Sequence, residues 1–172
     1  MARFGYVATP GWDHAAWSGG FYPEDLPAEW RLTYYANEFP AVIVPATAWG
    51  EAPAEQAQQW YADTPEGFGF LVEGTPPAGV ETALAERLVA TVGPGEGTLP
   101  RLAWPEVGEV ATAGGLALTR VTAEAATPPA LRVAWEALSG SGAAAGFLVV
   151  EGEAGVPEAL ERARTVAELM GL

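Results

Sequence analysis

The residues that could do chemistry are few and scattered. The one histidine, His14, stands in Trp12-Asp13-His14. Adjacent residues cannot orient each other as triad members do, and with no second His and no Cys a zinc site has too few ligands. A loop position without catalytic or metal duty is expected for His14. Glu73 and Glu151 close two apolar runs, where paired carboxylates could share general acid and base work as in glycoside hydrolysis. Arg120, in Leu116–Val121 (LALTRV), could join them or simply neutralise one, because a buried guanidinium needs a counter-charge. The plain ion pair is the favoured reading. The remaining candidates are aromatic. Trp12, Trp17, Tyr22 and Trp49 fall in the loops after the first two expected strands, with Asp13 and Thr47 beside them. Indole and phenol faces stack planar ligands and anchor interfaces, and they also plug gaps in a fold. These six form the candidate ligand-binding set.

Charge and composition remove whole classes of function. The chain has 172 residues, 22 of them acidic and 8 basic, for a net charge of −14. Every basic residue is Arg, so Schiff-base chemistry and the phosphate-loop lysine are absent. Such a surface repels nucleic-acid phosphates. An acidic proteome explains the bias more simply than a basic partner does. Apolar residues make up 49% of the chain, enough for a substantial core. With no Cys there are no disulfides or thiolate sites. No signal-peptide pattern and no apolar run near the ~20 residues of a membrane helix stand out, so a cytoplasmic protein without membrane contact is expected. No cofactor is expected. The glycine-rich stretches 93–97 (GPGEG) and 139–146 (SGSGAAAG) each follow an expected helix, the wrong order for a phosphate cradle, and read as linkers.

Strand and helix signals alternate. Residues 3–9 read as a strand stopped by Pro10-Gly11, and Asp25 and Pro27 as the start of a helix reaching Glu38, with Leu32, Tyr35 and Phe39 inward. Ala41–Val44 is continuously apolar, as expected of a strand buried on both faces in a parallel sheet. A second helix begins near Pro53 with Ala57, Trp60 and Tyr61 inward, a strand spans Phe68–Glu73, and Val80, Leu84 and Leu88 mark a third helix. Residues 93–115 are irregular, with a doubtful strand near Leu99–Ala103. Strands at Leu116–Val121 and Phe147–Glu151, a helix at Pro128–Leu138 and a last helix carrying Val156, Leu160, Ala163, Ala167 and Met170 complete the pattern. Alternation with apolar strands predicts one α/β domain over residues 1–172 with a mostly parallel sheet of five to six strands. A closed barrel of eight β/α units usually needs at least ~200 residues.

Several of these residues carry a resemblance. Gly11-Trp12, Trp17, Phe21-Tyr22-Pro23, Tyr34-Tyr35-Ala36, Phe39, Thr47, Trp60 and residues 64–68 (TPEGF) resemble the YecE-like family, a domain of unknown function. The likeness is strong over residues 1–74 and fainter over 116–172, which resemble the family's last two β/α units, with 93–115 as the apparent deletion point. It implies a shortened, incomplete or degenerate TIM-like β/α barrel. Polar positions of the family pattern differ here. Ile43 and Pro45 replace a Glu-x-Asn pair, and Ala48, Trp49 and Gly50 replace an aromatic pair and an Arg. Glu73 replaces a Lys, and Thr122-Ala123 replaces a His-Gly. Arg120 is kept, while Glu151-Gly152 stands where an Asn pair is usual. The resemblance therefore implies retained packing with lost pocket chemistry at the strand ends.

Two functions follow as expectations. The first is a non-catalytic binding or assembly protein, with a small-molecule ligand or a homodimer covering sheet edges that an incomplete barrel leaves open. The alternative is a small-molecule enzyme, such as a hydrolase, using Asp13, Glu73, Arg120 and Glu151 beneath the aromatic loops.

Overall fold

The computed structural model describes residues 4–172, so the first residue of the expected opening strand, Arg3, lies outside the described residues. Strands and helices alternate along the chain. β1 (Gly5–Ala8) leads through an aromatic loop to α1 (Arg31–Glu38), then β2 (Ala41–Val44), α2 (Pro53–Asp63) and β3 (Gly69–Glu73). A short α3 (Val80–Leu84) precedes β4 (Leu88–Val92) and β5 (Arg101–Leu102). A hairpin of β6 (Val110–Ala113) and β7 (Leu116–Thr122) is followed by α4 (Pro128–Ser139), β8 (Ala145–Glu151) and α5 (Val156–Met170).

The strands form two four-stranded sheets, ordered β1-β8-β7-β6 and β2-β3-β4-β5, parallel throughout except for β6 against β7. The α/β class with mostly parallel strands is as expected, but the count of five to six strands is too low: eight are present among the described residues. The sheets touch at one end, where Ile43 N–H donates to Thr9 O and Gly11 N–H donates to Ile43 O, at 3.0 and 2.8 Å. At the other end β5 lies beside β6 and β7 without strand pairing to them. There the hairpin turn is so tight against β5 that a Cβ on Gly114 would come within 2.8 Å of the Pro100 ring. The sheet edges thus face each other within one chain, bonded at the β1–β2 end and without strand pairing at the β5–β6 end.

Side chains alternate between two cores, as period-two strands require. Tyr6, Ala8, Ile43, Leu71, Val92, Leu102, Leu118, Phe147 and Val149 form a cluster drawn from both sheets. The opposite strand faces, with Val7, Val44, Phe70, Val72, Leu148 and Val150, pack beneath the helices. Burial on both faces explains why β2 and β8 read as uninterrupted apolar runs.

Three local differences have physical causes. Leu88, expected on the third helix, begins β4 instead. Helix α3 ends after one turn because Ala85 adopts a φ of 48°, and a 3-10 turn through Arg87 then redirects the chain. Val80, Leu84 and Leu88 are all buried, so spacing alone could not tell a helix from a helix-to-strand switch. The doubtful strand at 99–103 shrinks to Arg101–Leu102, while β6 appears in a region read as irregular. Asp25 does not cap α1, which follows a 3-10 turn at Ala28–Trp30 whose preceding residue is Pro27.

Candidate ligand-binding cleft

The loop after β1 is held by its own aromatic residues. Buried Tyr22 donates its hydroxyl to Trp12 O at 2.6 Å, and Trp17 lies within 6.4 Å of Tyr22, Phe21 and Tyr35, ring centre to ring centre. Tyr35 in turn donates to Ala41 O at 2.7 Å, tying α1 to the start of β2. Burial raises both phenols well above the ordinary tyrosine value, so both remain neutral donors. Near Tyr22 the Arg31 guanidinium opposes that rise and Asp13 adds to it. The His14 ring lies 4.3 Å from Trp17, and its Nε2 is 2.9 Å from Pro10 O.

The loop after β2 is fixed by a side chain from α2. Gln56 donates through Nε2 to Ala48 O at 2.9 Å and accepts the Gly50 N–H through Oε1 at 3.0 Å. Trp49 packs on Trp60 at 5.0 Å between ring centres, and Trp60 meets Trp12 edge-on at 4.8 Å. These contacts hold the two loops rigid at the C-terminal ends of β1 and β2, the end where β/α folds place their sites.

Between the loops, α1 and α2 leave a cleft of about 730 Å³. The β1 loop contributes Trp12, Asp13 and His14, the approach to α1 contributes Glu29 and Trp30, and α1 itself contributes Thr33. The β2 loop supplies Pro45, Thr47 and Ala48, and α2 supplies Gln56, Gln59, Trp60 and Asp63. Trp30 is 57% exposed, while Trp12 and Trp60 are each 8% exposed. Arg31 donates to Asp13 at 2.6 Å and Gln59 to Asp63 at 2.8 Å. Glu29, Thr33 and Thr47 have no side-chain partner among the described residues.

Of the six expected ligand residues, Trp12, Asp13 and Thr47 line this cleft. Trp17 and Tyr22 are buried behind its wall, and Trp49 supports Trp60. The four polar groups of the enzyme reading do not gather at one place. Asp13 pairs with Arg31, whereas Arg120 pairs with Glu151 across β7 and β8 at 2.8 Å. Arg120 also donates to Pro105 O at 2.7 Å and sits 4.7 Å from the Trp104 ring centre. Glu73 is exposed, and no hydrogen bond or ion pair links it to the others. The ion-pair reading of Arg120 describes this arrangement. The glycine-rich stretch 93–97 follows β4 rather than a helix, and its carbonyls wrap the Arg101 guanidinium, with Gly93 O and Glu96 O at 2.8 and 2.7 Å.

Trp30, Gln56, Gln59 and Asp63 were not among the candidates. Positions 56, 59, 60 and 63 share one helical face, a polar stripe interrupted by an indole. That stripe was the available signal, and it also fits an ordinary solvated face.

Residues 6–77 match the family described as protein of unknown function DUF72. That is the YecE-like family. The matched segment runs from Tyr6 in β1 past β3 and holds every residue lining the cleft. UPF0759 protein YunF of Bacillus subtilis (strain 168) is 32% identical over 69 residues, which is 40% of this chain and 23% of that protein. The matched region thus spans about a quarter of the curated relative's length. A crystal structure of a DUF72 family protein from Thermotoga maritima MSB8 superposes with a TM-score of 0.66, over 99% of this chain and 100% of that one. At 15% identity that likeness shows a shared fold. No helix among the described residues is long and apolar enough to cross a membrane, and none of their carboxylates or His14 gather into groups of three that could hold a metal.

Proposed function

We propose that this chain is a non-catalytic small-molecule-binding protein, built on a reduced TIM-like β/α barrel, with its site in the cleft between α1 and α2. The observation that carries this reading is the cleft itself. Its volume of about 730 Å³ lies within the roughly 300–1,000 Å³ usual for ligand sites. Its walls combine indole faces with uncommitted polar side chains, and tight backbone and side-chain bonds hold those walls in place. Preorganisation of this kind lowers the ordering cost of binding. A hydrolytic role has less support, because its four groups are dispersed and Arg120 and Glu151 are already matched to each other.

Native mass spectrometry of the freshly purified chain tests the reading. A discrete extra mass per chain is expected, absent from Thr47→Trp, which fills the cleft from its rim. A bare chain mass in both proteins, together with no saturable binding across a broad set of metabolite-sized compounds, would contradict it.

A further inference from the structure

The balance of groups in the cleft indicates a ligand class. Three carboxylates line it, those of Asp13, Glu29 and Asp63, and no Arg or Lys does. Arg31, at its edge, is spent on Asp13. Glu29 has no counter-charge, and Asp63 receives only the neutral amide of Gln59. Donors are scarcer. The Gln56 amide is committed at both ends, to Ala48 O and Gly50 N, and the Gln59 amide already donates to Asp63. The aromatic surface comes mainly from the exposed Trp30, with smaller parts of Trp12 and Trp60, and indole is the best ring for a cation.

An anion entering this cleft would meet carboxylates with no guanidinium free to offset them, within a chain of net charge −14. A neutral polyol could bond these groups but would leave Glu29 and Asp63 without a counter-charge. A positively charged group supplies that counter-charge and meets the exposed Trp30 ring. We infer that the cleft takes an organic cation, a protonated amine or quaternary ammonium carrying an apolar or extended body. Its charged head would lie between Trp30 and Glu29, its body toward Trp12 and Trp60. This inference rests on the cleft being a ligand site.

The test titrates four probes into the 15N-labelled protein and follows the indole N–H signals: choline, 1,4-diaminobutane, the neutral choline isostere 3,3-dimethylbutan-1-ol, and glucose. Choline and the diamine are expected to shift Trp12, Trp30 and Trp60, with choline at least tenfold tighter than the neutral isostere. Trp30→Ala and Glu29→Gln are each expected to weaken the cations roughly threefold to thirtyfold, the range of a cation–π or single-charge contact. Both residues are exposed, so both variants should keep the wild-type melting temperature. Equal or tighter binding of the alcohol or glucose at the same indoles overturns the cation and leaves the binding role standing. Shifts confined to Trp104 and Trp135 overturn both. No shift with either cation overturns the inference, and native mass spectrometry then judges the binding role separately.

Discussion

The two ends of the chain use the same parts differently. In the C-terminal part, α4 and α5 pack along each other and over β7, β8 and β1. Trp135 is fully buried there and donates its indole N–H to Ala163 O at 2.9 Å. Glycine permits close contact, since a Cβ on Gly5 would come within 3.1 Å of the Trp135 ring. In the N-terminal part, α1 and α2 touch little, and the space between them is the cleft. Trp12 and Trp60 are only slightly exposed, and their indole N–H groups have no protein partner among the described residues and are not sealed from solvent. A fully enclosed indole usually finds a protein partner, as Trp135 does, whereas one at a cleft wall can use water. The contrast between an enclosed and a solvent-facing indole N–H distinguishes the C-terminal packing from the cleft wall more clearly than aromatic content does.

That contrast can be broken at several points. The largest effect is expected from Trp135→Ala, which empties a fully packed site and should cost about 3–5 kcal/mol in denaturant unfolding. Loss below about 1 kcal/mol would mean the C-terminal packing is not the scaffold. Arg120→Met leaves Glu151 half-buried without its partner and should cost about 1–3 kcal/mol. If it left stability unchanged but altered ligand binding, Arg120 would belong to a site after all.

Alkali should act on the N-terminal part. Tyr22 and Tyr35 have raised values in the folded state, so their contribution is complete below the unfolded tyrosine value near 10 and is lost as pH rises above it. Each should remove about 1.4 kcal/mol per pH unit in that range. Unfolding followed from pH 9 to 11.5 should show this slope, and Tyr35→Phe should reduce it. A flat profile would show that neither phenol resists ionisation. The smallest effect on stability is expected from Trp30→Ala, within about 0.5 kcal/mol of wild type, because that ring is mostly exposed.

Much of this division was legible in the sequence. The apolar strands β2, β3, β7 and β8 and the helices α2, α4 and α5 stood out because burial on both faces and 3.6-residue periodicity leave strong patterns. The β6–β7 hairpin was missed although Gly114-Gly115 between β-prone residues is its signal, with φ of 56° and 79° at the two glycines. Strand β4 was hidden by Leu88, which fits a helical stripe and a strand equally well. Trp12, Asp13 and Thr47, expected as ligand residues because they stand in loops after strands, do line the cleft. The placement of Trp30, Gln59 and Asp63 there was not legible, because it depends on the gap between two helices, and no local pattern encodes a gap. The dispersal of Glu73 and Asp13 away from Arg120 and Glu151 is likewise a matter of tertiary placement.

The most direct measurement is solvent access at the indole nitrogens. The seven Trp residues give one indole N–H signal each. In the free protein, rapid exchange with water is expected for Trp12, Trp30 and Trp60, and slow exchange for Trp135. Slow exchange at Trp12 and Trp60 to the same degree as Trp135 would mean the cleft is closed and packed in solution, and the binding site proposed here would not exist.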